Sequence, residues 1–114
     1  MFTDWKEHTS HVKKSFAALG KQHPKMLQAY QALGAAAAEG DVLDAKTREL
    51  IALAVAVTTR CESCISVHAE EAVKAGATEA EVAAALAMSI ALNAGAAYTY
   101  SLRALEAYHT QKGE

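Results

Sequence analysis

The sequence predicts an all-α protein, and three features of it carry that expectation. Alanine supplies about a quarter of the 114 residues, and alanine enters a helix without losing side-chain entropy. A single proline, Pro24, interrupts the chain. No stretch alternates apolar and polar residues for long enough to form a strand.

Capping and breaking residues divide the chain into a compact bundle of about six helices. Thr3 or Asp4 can cap a first helix that ends near Gly20. Pro24 suits the first turn of a second, which runs to about Glu39 and stops at Gly40, with Gly34 a weak point inside it. Asp44 can cap a third helix over residues 45–59. A fourth covers about residues 61–75, with Gly76 in the terminating position. Thr78-x-x-Glu81 is a capping-box pattern that opens a fifth helix from about Glu79. Gly95 is the expected division from a sixth, ending near His109. With no linker, low-complexity tail or internal repeat, residues 1–114 are expected to form one domain.

The formal net charge of -2 offers no broad field to nucleic acid or anionic lipid. Neither partner is expected. Residues 1–15 carry five charges and no apolar stretch, unlike a signal peptide. The longest apolar runs are 50–57 and 82–97. The second contains Ser89, Asn93 and Gly95 and reads as too short and too polar to span a bilayer. A cytoplasmic protein is the expectation. Both runs are apolar on nearly every side, and a 12 kDa chain has too little interior to bury two such helices. A homo-oligomer is expected, with a loosely packed monomeric bundle as the alternative.

Chemistry concentrates in Cys61-Glu62-Ser63-Cys64-Ile65-Ser66-Val67-His68. On a helix, Cys61, Cys64 and His68 fall within an arc of roughly 60°. The two cysteines rise about 4.5 Å relative to each other, within disulfide reach if the first turn adjusts. Free amides and the helix dipole in that turn favour a thiolate. His68, one turn on, can hold a proton near neutral pH. An attacking thiolate, a second thiol and a proton handler are what peroxide reduction requires. Glu49 lies on the preceding helix, and a hairpin turning near Arg60 would set it opposite residues 68–72. A carboxylate there orients the imidazole and raises its basicity.

Blander readings stand beside these. The cysteines could be core residues. With His68 they could also bind zinc, though three ligands without a second Cys-x-x-Cys make a poor site. Glu49 could be a solvated charge. His8 and His11, one turn apart, could share a metal, but an exposed polar face explains them more simply. His23 and His109 sit near helix ends, Tyr98, Tyr100 and Tyr108 suit packing or an interface, and Met26 and Met88 look like core filler. No cofactor-binding or metal residues are assigned.

Glu49-x11-Cys61-x2-Cys64-x3-His68 resembles the signature of the alkylhydroperoxidase D-like proteins within the carboxymuconolactone decarboxylase family. The flanks, Thr47-Arg48-Glu49-Leu50-Ile51-Ala52-Leu53 and His68-Ala69-Glu70-Glu71-Ala72-Val73-Lys74-Ala75-Gly76-Ala77-Thr78, add to the likeness, which covers about residues 25–108. The resemblance implies an all-helical fold assembling into trimers or hexamers. It implies catalytic roles: Cys64 as the peroxide-attacking thiolate, Cys61 as the resolving cysteine, and His68 with Glu49 as the proton relay. It implies no bound cofactor but an external dithiol reductant, which in the best-known members is a lipoyl-bearing protein. The chain departs from that prototype at Ser63, where a histidine precedes the second cysteine, and it resembles a minimal single-unit form. The family's decarboxylases work without the cysteine pair, so Cys61 and Cys64 argue against lactone decarboxylation. A thioredoxin-like setting needs a strand before the pair, whereas residues 50–59 read as helix. Besides hydroperoxide reduction, two functions compete: dithiol–disulfide exchange or redox sensing, and structural metal binding.

Overall fold

A computed structural model describes residues 2–114. It contains five α-helices and no strand among the described residues: α1 (Trp5–Gln22), α2 (Pro24–Ala37), α3 (Ala45–Thr59), α4 (Glu62–Lys74) and α5 (Glu79–Gln111), with a 3₁₀ turn at Glu39–Asp41.

Local capping explains the starts. The Asp4 carboxylate accepts from the Glu7 amide and the Asp44 carboxylate from the Thr47 amide, at 3.1 and 2.8 Å. His23 Nδ1 accepts from the Met26 amide, with Pro24 at the first helical position. Thr78 and Glu81 form the reciprocal capping box expected of them. Each such cap contributes about 1 kcal/mol.

The ends differ from expectation in three places. α1 continues past Gly20 to Gln22, because Gly20 is a contact residue: a Cβ there would stand 2.3 Å from Leu27 Cδ2 of α2. α2 stops at Ala37, ahead of the 3₁₀ turn in which Gly40 supplies the positive φ of 82°. The expected fifth and sixth helices are one, since α5 runs unbroken through Gly95. A glycine costs a helix interior about 1 kcal/mol relative to alanine, too little to break it where no proline or competing cap intervenes.

α3 is the central helix, with α4 and α5 packed on it, α1 on α4, and α2 on α1. Leu53 and Ala56 of α3 and Ala72 of α4 are buried. Hydroxyls carry much of the remaining contact. Ser89 of α5 donates to the Ala54 carbonyl at 2.9 Å, and Asn93 Nδ2 donates to Thr58 Oγ1 at 3.0 Å. Buried Thr9 of α1 and Ser66 of α4 bond to each other, and both reach the Trp5 carbonyl. Lys13 and Glu70 close the same seam with an ion pair at 2.7 Å.

A single chain leaves much apolar surface uncovered. Its accessible surface is 8974 Å², against about 6,000 Å² for a folded monomer of this mass. The radius of gyration is 18.9 Å, against about 13 Å for an isolated domain of this length. Met26 and Met88, expected in the core, are 60% and 61% exposed. Unbroken at Gly95, α5 is long and apolar enough to cross a membrane by length and composition, unlike the shorter run the sequence suggested. Ser89 and Asn93 tie its first half to α3.

Candidate active site

The site begins at a chain reversal. α3 ends at Thr59, Arg60 takes the left-handed conformation (φ 56°, ψ 43°), and Cys61 is extended and caps α4. The Cys61 amide donates back to the Ala56 carbonyl at 3.0 Å, closing the turn. Cys61 therefore lies just outside the helix, rather than in its first turn as expected, and Cys64 is the third helical residue. The Cys64 amide donates to Cys61 Sγ at 3.2 Å, so sulfur takes the acceptor place that serine or aspartate usually fills.

Cys61 and Cys64 form a disulfide, with Cα atoms 5.2 Å apart. One helical turn beyond Cys64, His68 Nδ1 lies 2.7 Å from Glu49 Oε2 of α3. Their side chains are 37% and 21% exposed, so the pair is partly withdrawn from water but within reach of it. The antiparallel α3–α4 hairpin makes this meeting, across 19 residues of sequence. The four residues singled out from the sequence thus share one short hairpin. The imidazole's free Nε2 can exchange a proton, while the carboxylate holds the other nitrogen.

Neighbouring charges fix the frame. Lys46 of α3 pairs with Glu81 of α5 at 2.9 Å. That bond first, and the Thr78 amide second, lower the Glu81 pKa to about 2. Lys13 beside Glu70 likewise holds its carboxyl below the usual range.

The other candidates scatter. His11 pairs with Glu7 of its own helix at 3.6 Å, and no cluster of three metal-ligating side chains occurs among the described residues. His23 caps α2, His109 bonds Glu114, and Tyr98, Tyr100 and Tyr108 are exposed. His8, grouped with His11 from the sequence, instead brings Nε2 to 3.5 Å from Ser63 Oγ, between the two cysteines. A signal for this was present. Trp5, His8, Thr9 and Val12 recur at i, i+3, i+4 and i+7, which is the spacing of a docked helix face.

Known proteins are similar to this chain in sequence and in fold. Residues 24–107 match the carboxymuconolactone decarboxylase family. A Haemophilus influenzae protein of uncharacterised function is 91% identical over 98% of this chain and 99% of its own length. A crystal structure of a carboxymuconolactone decarboxylase family protein from Legionella pneumophila superposes with a TM-score of 0.74, at 33% identity, covering 92% of this chain and 94% of that one. A Methanobacterium thermoautotrophicum protein gives a TM-score of 0.66 at 32% identity, covering 71% and 91%. The chain belongs to the carboxymuconolactone decarboxylase family, and its cysteine pair is consistent with the alkylhydroperoxidase D-like members of it.

Proposed function

We propose that the protein is a thiol-dependent peroxidase that reduces alkyl hydroperoxides. The observation that carries this reading is a disulfide one helical turn from a histidine held by a carboxylate. In the reduced protein, the Cys64 thiolate attacks the terminal peroxide oxygen. The O–O bond breaks, and the departing alkoxide takes a proton from His68 to leave as the alcohol. Cys64 is then a sulfenic acid. The Cys61 sulfur attacks it, hydroxide leaves and is protonated to water, and the disulfide forms. An external dithiol returns two electrons and two protons, itself closing to a disulfide. A lipoyl-bearing protein supplies that chemistry. Cys61, at the helix cap, is the sulfur we assign to the reductant.

The working unit in this proposal is a homo-oligomer in the cytoplasm. The roughly 3,000 Å² of surface beyond that of a compact monomer is ample for a stable interface. Apolar side chains such as Tyr30, Leu33, Leu102 and Leu105 stand exposed on it.

Reduced protein, freed of reductant and mixed with an organic hydroperoxide, should lose two thiols per chain rapidly. Cys64→Ser should abolish peroxide consumption, while Cys61→Ser should permit one attack that stops at a trappable sulfenic acid. Sulfenic acid in Cys64→Ser alone would reverse the two roles. Slow thiol loss with fast exchange against dihydrolipoamide would identify a dithiol–disulfide exchanger instead.

A further inference from the structure

The seam between α1 and α4 brings a second imidazole to Ser63, the residue before Cys64. His8 Nε2 lies 3.5 Å from Ser63 Oγ, and the hydroxyl sits in sequence directly before Cys64. The approach is held from several sides. Trp5 meets the His8 ring edge-on at 6.2 Å, and the buried Thr9–Ser66 hydroxyl pair, both bonded to the Trp5 carbonyl, lies one residue further along. Helical spacing puts Cys64 about 100° from Ser63 on one side and about 40° from His68 on the other. Around the helix, Cys64 therefore falls between Ser63, which the imidazole of the N-terminal helix reaches, and His68 of the Glu49 pair.

We propose that His8 is a positioning residue that acts through Ser63 to stabilise the Cys64 thiolate once the disulfide is reduced. The proposal deepens the redox reading above and rests on it. When a dithiol reduces the Cys61–Cys64 bond it closes to its own disulfide, leaving two sulfurs and two protons to distribute. With one proton on Cys61 and the other on an imidazole, Cys64 remains anionic. His8 N–H donating to Ser63 Oγ leaves the hydroxyl hydrogen for that sulfur, and a hydrogen bond to the charged form favours ionisation. The other ionisable groups around His8 are Asp4, Glu7 and His11 of α1. α4 adds Glu62 next to Ser63, and of the helix packed on the rest of α1, Lys25 lies in its first turn and Tyr30 packs at a tilt against Phe16. None of these takes the place of His8 at Ser63.

The test needs no peroxide. Reduced protein is treated with iodoacetamide across the pH range, and alkylation of Cys64 is followed by mass spectrometry. His8→Ala and Ser63→Ala should each raise the midpoint of the rate profile by about one pH unit, a roughly tenfold slower reaction well below the midpoint. The double variant should shift no further than either single one. Lys13→Gln, which removes the exposed ion pair to Glu70 but leaves the imidazole and the buried Thr9–Ser66 bond that docks α1 on α4, should keep the wild-type midpoint. Profiles that coincide with wild type, additive shifts, or an equal shift in Lys13→Gln would each overturn the role of His8. A protein inert to peroxide but shifted in this assay would overturn the peroxidase reading alone.

Discussion

The α3–α4 hairpin and the second half of α5 are built on opposite terms. The hairpin satisfies itself. Leu53, Ala56 and Ala72 are buried there, and Glu49, Cys61, Cys64 and His68 each find a partner within the two helices or the turn joining them. Beyond Ser89, α5 leaves every residue exposed, with Tyr98 at 77%, although the segment is rich in alanine, leucine and tyrosine. The candidate site is thus assembled from contacts close in sequence, while apolar surface far from it stands uncovered by its own chain. Damage to the first region should alter reactivity and spare assembly; damage to the second should do the reverse.

The largest effect should come from the hairpin. Glu49→Gln keeps size and hydrogen bonding but removes the charge beside His68. Reaction with peroxide should slow by about 10²–10⁴-fold, the range of positioned acid–base catalysis. The loss should be greatest near neutral pH and shrink at alkaline pH, where the thiol ionises unaided. Stopped-flow rates across pH, alongside light scattering to check assembly, would decide it. A folded variant with an unchanged pH profile would reduce Glu49 to a surface charge.

An intermediate effect should come from α5. Leu102→Glu places a charge on the uncovered half, removing about 1.5–3 kcal/mol of apolar burial, or roughly 10- to 150-fold in association. Light scattering at micromolar concentration should show partial dissociation toward 12 kDa, while the disulfide still forms. A wild-type chain that is stably monomeric under the same conditions would end the assembly argument.

The smallest effect should come from the tie between the regions. Glu81 both caps α5 and pairs with Lys46. The Lys46 ammonium first, and the Thr78 amide second, hold its carboxyl down to about 2, so its contribution is complete above the ordinary glutamate range, about pH 4.5, and fades as pH falls toward 2. Glu81→Gln should therefore lower the Tm by a few degrees at neutral pH. The gap should close in strong acid. A gap constant from pH 7 to 2 would assign the loss to side-chain shape rather than charge.

The hairpin was legible in the sequence because its determinants are local. Asp44, the Cys-x-x-Cys spacing and the register from residue 49 to residue 68 act within 25 residues, and helical periodicity carries them directly into space. Gly95 misled because glycine marks a possible helix end without forcing one, and no cap follows it. Met26 and Met88 misled because hydrophobicity says that a side chain wants cover but not whether its own chain provides it. Cys61 was displaced by one residue, since a cap and a first turn differ only in backbone angles. His8 was hidden by distance: its partner lies 55 residues away, and only the docked stripe of α1 announced that the helix had a face to hide.

The turn at Arg60 has a consequence for how the gene can change. Loops are ordinarily where chains accept insertions and deletions. Here a single left-handed residue joins α3 to the cap of α4, so the turn also sets the phase between the two helices. One residue added between Thr59 and Cys61, if absorbed by winding α4, would rotate His68 by about 100° away from Glu49. Substitutions on the outer faces of both helices leave that phase untouched. The length of this connection, more than the identity of its residues, is what descent must preserve.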